Sequence, residues 1–196
     1  ASYEGLLSLN SQHESIVLEN EKLIDSINIG IVDYIIKLSG ENVSDSDNQL
    51  ISNLYRVVSD IERIGDHSIN LVEFSQAMQK NNNFFSPKAV EELKKMCDTI
   101  LVMYDMTIRA FEKKDVNLVN DVDQIEDLVD LMKIDYSTNH VSRLSQEMCS
   151  AESGMMFYGI LTDLERIADH LVNISHSILP QSKNKKTKKT VLAKIQ

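Results

Sequence analysis

Four Glu-x-x-x-Asp pairs, Glu21/Asp25, Glu62/Asp66, Glu126/Asp130 and Glu165/Asp169, are the residues of this chain whose type and spacing point to chemistry. On a helix, residues four apart share a face with about 5–6 Å between their Cβ atoms, so each pair aims two carboxylates the same way. At 100° steps, Glu21 lies about 60° and Asp25 about 100° from the centre of their helix's apolar stripe, and Glu126 and Asp130 stand similarly relative to Val129. Two acids held at the rim of a buried face repel each other and lose hydration, which raises a pKa unless a cation compensates. Four pairs on four helices would give each half of the molecule four facing carboxylates. That is an all-oxygen donor set suited to iron, manganese, magnesium or calcium, with zinc also accommodated. A lone pair of this kind is ordinarily a solvated surface feature, and Arg63 and Arg166 stand where they would neutralise such acids. Repetition separates this chain from that case.

The positions of these pairs depend on long helices. Only two prolines and six glycines interrupt 196 residues, too few breakers for the turns of a sandwich or barrel. The first predicted helix runs from about Gln12 to Leu38, with Val17, Ile24, Ile27, Ile31 and Ile35 on one face, and stops at Ser39-Gly40. A second starts after the Ser44-Asp45-Ser46-Asp47 cluster, which supplies capping oxygens, and ends near Lys80 at an asparagine run. Ser86-Pro87 reads as N-cap and first helical residue of a third helix reaching about Lys114. A fourth spans about Asn117 to Leu144, and a fifth about Ala151 to Leu179, closed by Pro180. Helices near 30 residues, about 45 Å long, joined by short links, bury their stripes in antiparallel bundles.

The chain also repeats itself. Residues 60–70, DIERIGDHSIN, recur at 163–173 as DLERIADHLVN, identical at seven of eleven positions, including every charged one. Glu21 to Asp25 align with Glu126 to Asp130 at an offset of 105, close to the 103 of the longer match. Two matches at nearly one offset mean a duplicated unit of about one hundred residues. The second copy has three helices and the first only two complete ones. Gly5 and Leu6 fall opposite Ala110 and Phe111, so residues 1–9 read as the last turns of a truncated leading helix and the chain as part of a longer protein. The expected fold is therefore all-α, two similar antiparallel three-helix bundles side by side. The first repeat covers residues 1–83, the second 84–182, and a basic tail 183–196.

His67 and His170 directly follow the Asp of each longer motif, and a 100° step turns them off its face. A supporting or helix-packing role is expected for them rather than direct ligation, with Asp60, Asp163, Asn70 and Asn173 alongside. His13, His140 and His176 have no counterpart in the repeat and are expected at the surface, and the eight methionines as core fillers. No histidine has a Glu three residues before it, which argues against a di-iron carboxylate enzyme. There is no GxxxxGK[ST], GxSxG or HExxH, so the reading leans away from an enzyme.

A net charge of −10 speaks against a bulk electrostatic grip on nucleic acid. Residues 183–196 hold six lysines and no acid, leaving 14 basic against 30 acidic side chains in the first 182 residues. The expectation for that tail is a solvated, disordered terminus, with contact to anionic lipid or to the chain's own acidic body as the alternatives. No run of eighteen apolar residues would span a bilayer. Cys97 and Cys149, without CxxC spacing, read as buried, reduced thiols.

Glu-Arg-Ile-Gly-Asp-His at 62–67 and Glu-Arg-Ile-Ala-Asp-His at 165–170, each with an Asp two residues upstream and an Asn downstream, resemble the signature of the PhoU family over nearly all of residues 1–180. The resemblance implies two three-helix bundles and multinuclear metal clusters, iron and zinc among them. The ligands it implies are Glu21, Asp25, Glu62 and Asp66 in one bundle, and Glu126, Asp130, Glu165 and Asp169 in the other. Ala168 stands where the usual string has Gly, which leaves the ligands intact and tightens the helix approach there. The family implies a cytoplasmic regulator of phosphate transport and homeostasis. It is either free-standing, restraining a phosphate ABC transporter with its sensor kinase, or the C-terminal domain of a sodium-dependent phosphate (Na/Pi) cotransporter at the inner face of the membrane. The truncated first helix and basic tail favour the cotransporter setting. The partner is then a membrane-embedded transporter portion in the same polypeptide, and a homodimer is a further expectation. A metal-free helical scaffold and a carboxylate-bundle enzyme are the competing classes.

Overall fold

The computed structural model describes residues 11–39 and 44–179, so the leading-helix turns at 1–9, Gly40, Pro180 and the basic tail lie outside the described residues. The described residues form five helices: α1 (Ser11–Ser39), α2 (Asp45–Lys80), α3 (Pro87–Lys113), α4 (Val116–Ser145) and α5 (Ala151–His176). Their ends follow local chemistry. The side chains of Ser44, Ser86 and Ser150 accept from the backbone N–H three residues on, and Asp115 from that of Asn117, satisfying donors that a helix N-terminus leaves open. Pro87 takes the first helical position, where its missing N–H costs nothing. Lys114, expected as the last helical residue, instead caps α3 in the left-handed region at φ 52°, its N–H turned to the Ala110 and Phe111 carbonyls. α5 stops at His176, three residues before the expected Leu179, and Ser177 caps it.

α1 packs on α2, while α3, α4 and α5 pack on one another, and α2 against α5 joins the two groups. The main core fills the three-helix side. Leu93, Met96 and Met103 of α3, Val122 and Val129 of α4, and Phe157, Ile160 and Leu161 of α5 are buried together, with Leu71 of α2 reaching in from across the junction. Met96 and Met103 have no solvent exposure, as gap fillers should.

Positions related by the duplication show what α3 contributes. Phe157 and Leu164 of α5 are 0% and 2% exposed, whereas their counterparts Leu54 and Ile61 of α2 are 40% and 42% exposed. Ile27 and Ile31, expected on the buried stripe of α1, are likewise exposed, although Met132 and Tyr136, their counterparts on α4, are buried. Among the described residues no third helix covers this face of α1 and α2. No described helix is long and apolar enough to cross a membrane.

Candidate functional site

The duplicated motifs meet where α2 crosses α5, and they pair reciprocally. His67 of α2 places Nδ1 2.7 Å from Asp163 Oδ1 of α5, and Asn70 donates to the same oxygen at 3.0 Å. In the mirrored contact His170 of α5 places Nδ1 2.8 Å from Asp60 Oδ1 of α2, and Asn173 donates there at 3.2 Å. Each imidazole donates from Nδ1 to a carboxylate, which fixes its tautomer or, when protonated, holds its charge. The two rings stack on each other with centroids 5.7 Å apart. Asp163 and His170 are buried, Asp60, His67 and Asn70 half-buried, and Asn173 is exposed. Each Asp, His and Asn therefore works across the junction on the other repeat. Spacing within one motif cannot show this.

The Glu-x-x-x-Asp pairs lie to one side of this junction, on α1 and α2 in one half and on α4 and α5 in the other. Glu21, Asp25 and Glu62 are half-buried and Asp66 is exposed; Glu126, Glu165 and Asp169 are half-buried and Asp130 is exposed. Their fields overlap. Partial desolvation, then the charges of Asp25 and Asp66, raise the Glu21 pKa. Burial pushes Glu126 up to about 7, with Asp130 and Asp169 adding repulsion, and burial followed by Glu165 and Asp169 raises Asp130. Facing helices thus bring acids of both pairs within electrostatic reach in each half.

The two sets differ in their counter-charge. In the second half, Lys133 Nζ sits 3.1 Å from Glu165 Oε2, an ion pair without hydrogen-bond geometry, and Arg166 donates to Asp169 at 3.1 Å. Asn28 holds the position of Lys133 in the first half. The donor set is all oxygen and fits a hard cation, yet among the described residues no three His, Cys, Asp or Glu side chains converge at the spacing of a metal cage.

Four features lie outside the sequence expectation. His140 is buried, not at the surface: its ring stacks on Phe157 at 4.8 Å, and Gly154 leaves it space, since a Cβ there would stand 2.8 Å from His140 Nε2. Burial, then the neighbouring Arg143 charge, lowers its pKa and favours the neutral ring. His176 is half-buried and pairs with Asp123 at 2.6 Å, while the side chain of His13 lies outside the described residues. Arg143 grips Glu92 through two hydrogen bonds of 3.1 and 2.8 Å, both residues buried, and Asn139 donates to the same Glu. The 51-residue separation of Glu92 and Arg143 gives sequence reasoning nothing to join them. Cys97 is buried, its thiol pushed up to about 12 by desolvation, but Cys149 is only half-buried.

The PhoU domain model matches residues 2–75 and 93–178, both repeats and both motifs. The chain belongs to the PhoU family. Among curated PhoU relatives, the phosphate-specific transport system accessory protein PhoU homolog 1 of Thermotoga maritima is 27% identical over 177 residues, covering 90% of this chain and 75% of that protein. The corresponding PhoU homolog of Clostridium acetobutylicum is 21% identical, covering 90% and 82%. The crystal structure of PhoU from Pseudomonas aeruginosa superposes with a TM-score of 0.83 at 22% identity, over 90% of this chain and 84% of that one. That of the phosphate transport system regulatory protein PhoU from Streptococcus pneumoniae gives 0.68 at 21% identity, over 95% and 94%. These likenesses show the PhoU fold of helical bundles.

Proposed function

We propose that this chain is a regulator of phosphate transport that acts by contact with a transport or signalling protein rather than by chemistry on a small substrate. The observation that carries the reading is the PhoU match across both repeats, with relatives named as accessory proteins of phosphate-specific transport. Those names support an accessory regulator of a phosphate-specific transport system ahead of a sodium-dependent cotransporter domain. The site is cytoplasmic in either setting, at the inner face of the membrane where the partner presents itself. The eight carboxylates, with Glu126 raised by burial and then by Asp130 and Asp169, and Asp130 by burial and then by Glu165 and Asp169, supply a hard-cation donor set. Cation uptake by these carboxylates is part of this proposal and requires the facing pairs to draw together.

Regulation by contact demands unequal affinity for two states of the partner, because a module that binds both states equally shifts nothing. The test removes the protein from its native cell and follows phosphate uptake over a range of external phosphate. The expected result is uptake that no longer falls when phosphate is plentiful. Uptake with its usual dependence on phosphate would sink the regulatory reading. Loss of control rescued by the isolated chain supports the accessory setting, and rescue only when it is fused to a transporter supports the cotransporter setting.

A further inference from the structure

The second half carries a groove whose two ends differ in chemistry. At 100° per residue, Glu126, Asp130, Ile134 and Val141 fall within one narrow sector of α4, and Tyr158, Glu165 and Asp169 within one sector of α5. The antiparallel helices set the four acids together at one end. At the other, Val141 and Tyr158 line a cavity of about 630 Å³ with Leu144 and Met155. Val141, Met155 and Tyr158 are 67%, 71% and 57% exposed, an apolar lining with no cover among the described residues. The first half repeats the acids and, as exposed Ile36 and Tyr55, the positions of Val141 and Tyr158, but Ser52 stands for Met155 and Ser39 for Leu144. The apolar end is therefore fuller in the half from which the chain's basic tail departs.

We propose that residues 183–196 dock along this groove, their lysines at the acids and Val191, Leu192 and Ile195 over Val141 and Tyr158. The order of chemistry matches. Going back from His176, Asp169 lies about 10 Å along α5 and Tyr158 about 27 Å. Going forward, the tail presents Lys183, Lys185, Lys186, Lys188 and Lys189 first and its apolar residues second. At roughly 3.3 Å per extended residue, Lys183 reaches about 23 Å and Val191 about 50 Å, enough for each to arrive at its end of the groove. The charges are complementary, and the acids already accept cationic side chains, as Lys133 on Glu165 and Arg166 on Asp169 show. Glu126 and Asp130 have no ion pair of their own among the described residues and await the tail's lysines. The docked tail covers the exposed apolar lining, so any partner of that face must displace it. This inference rests on the groove and the tail's composition, and at the acids of the second half the docked lysines compete with the cation uptake proposed above.

Disulfide trapping tests it on the full chain with Cys149→Ser; Cys97 is buried and its thiol resists ionisation. Leu192→Cys is combined with Tyr158→Cys or, separately, with Leu128→Cys. Leu128 is 49% exposed, faces away from the groove and lies nearer the tail's origin, so a freely moving tail would meet it more readily. The expected result is an intramolecular bond to position 158 forming at least about tenfold faster than to position 128, slowed when Glu126→Gln and Asp130→Asn are added. Val141→Cys, also exposed, replaces Tyr158→Cys if circular dichroism shows that variant unfolded. Equal rates at both positions, or faster bonding at 128, overturn docking. Disulfide-linked dimers as the main product overturn it too, because another copy then holds the groove.

Discussion

Phe74 of α2 seats its ring on Gly159 of α5, so closely that a Cβ built on the glycine would stand 2.5 Å from Phe74 Cζ. Gly65, the glycine of the first motif, has no such constraint: its nearest neighbour would be Ile24 Cδ1 at 3.6 Å, ordinary contact. Gly159→Ala should therefore destabilise the protein by about 1–3 kcal/mol, since the ring must move out of a packed junction. Gly65→Ala should stabilise it by about 0.5–1 kcal/mol by reducing the freedom of the unfolded chain, in keeping with Ala168 at the same place in the second repeat. Urea unfolding of the two variants checks both signs. A Gly159→Ala protein as stable as the parent would show that the junction yields.

The cross-paired motifs should behave as coupled units. Asp163→Ala leaves His67 and Asn70 without their shared acceptor and should cost about 1–3 kcal/mol. A double-mutant cycle with His67→Ala should return a coupling of about 0.5–3 kcal/mol. Additive losses would mean that the contact carries no stability.

Acid repulsion gives a pH dependence of definite sign. Glu126 is raised to about 7 in the folded protein by burial and by Asp130 and Asp169, above its ordinary value in the unfolded chain. Below about pH 4.5 both states are protonated and the group is neutral to stability. Between there and about pH 7 the unfolded state ionises first, so stability falls as pH rises and stays reduced above pH 7. Glu126→Gln should accordingly raise stability at pH 8 by on the order of 1 kcal/mol, allowing for its partial exposure, and leave it little changed at pH 4. Thermal melts at the two pH values decide it; an equal effect at both would exclude ionisation as the cause.

Cation uptake by the acids is tested by metal analysis of protein purified without chelator. Glu62→Gln with Asp66→Asn should empty the first half and leave the second loaded, and uptake should weaken as pH falls toward the carboxylate range. Unchanged metal content in the double variant would show that these acids are not ligands.

The helices were legible in the sequence because their signals are local. Ser44, Ser86-Pro87 and the near absence of Gly and Pro set their starts and lengths, and the boundaries fall within three residues of those expected. The 103-residue repeat likewise exposed the two halves. What stayed hidden is long-range. The motif string shows that Asp60, His67 and Asn70 recur, but not that each acts on the other copy, since reciprocity is a property of the α2–α5 crossing. His140 looked like a surface residue because no repeat partner vouched for it, and only the space left by Gly154 and the face of Phe157 explain its burial. The Glu92–Arg143 pair had no sequence signal, and the exposure of Ile27 and Ile31 depends on the absence of a described helix over them, which periodicity cannot register.

The reciprocal contacts of Asp60 with His170 and Asp163 with His67 have the form of an interface between two identical subunits, in which residue i meets j and j meets i. Every group needed for both contacts is present within the second repeat alone, as Asp163, His170 and Asn173. The chain therefore reads as a fused homodimer whose linker has replaced an association equilibrium. Joining the halves freed each to diverge, and this protein shows that divergence in Lys133 against Asn28 and in Met155 against Ser52. Residues 84–179, made alone, retain the chemistry to rebuild the ancestral pairing between two molecules.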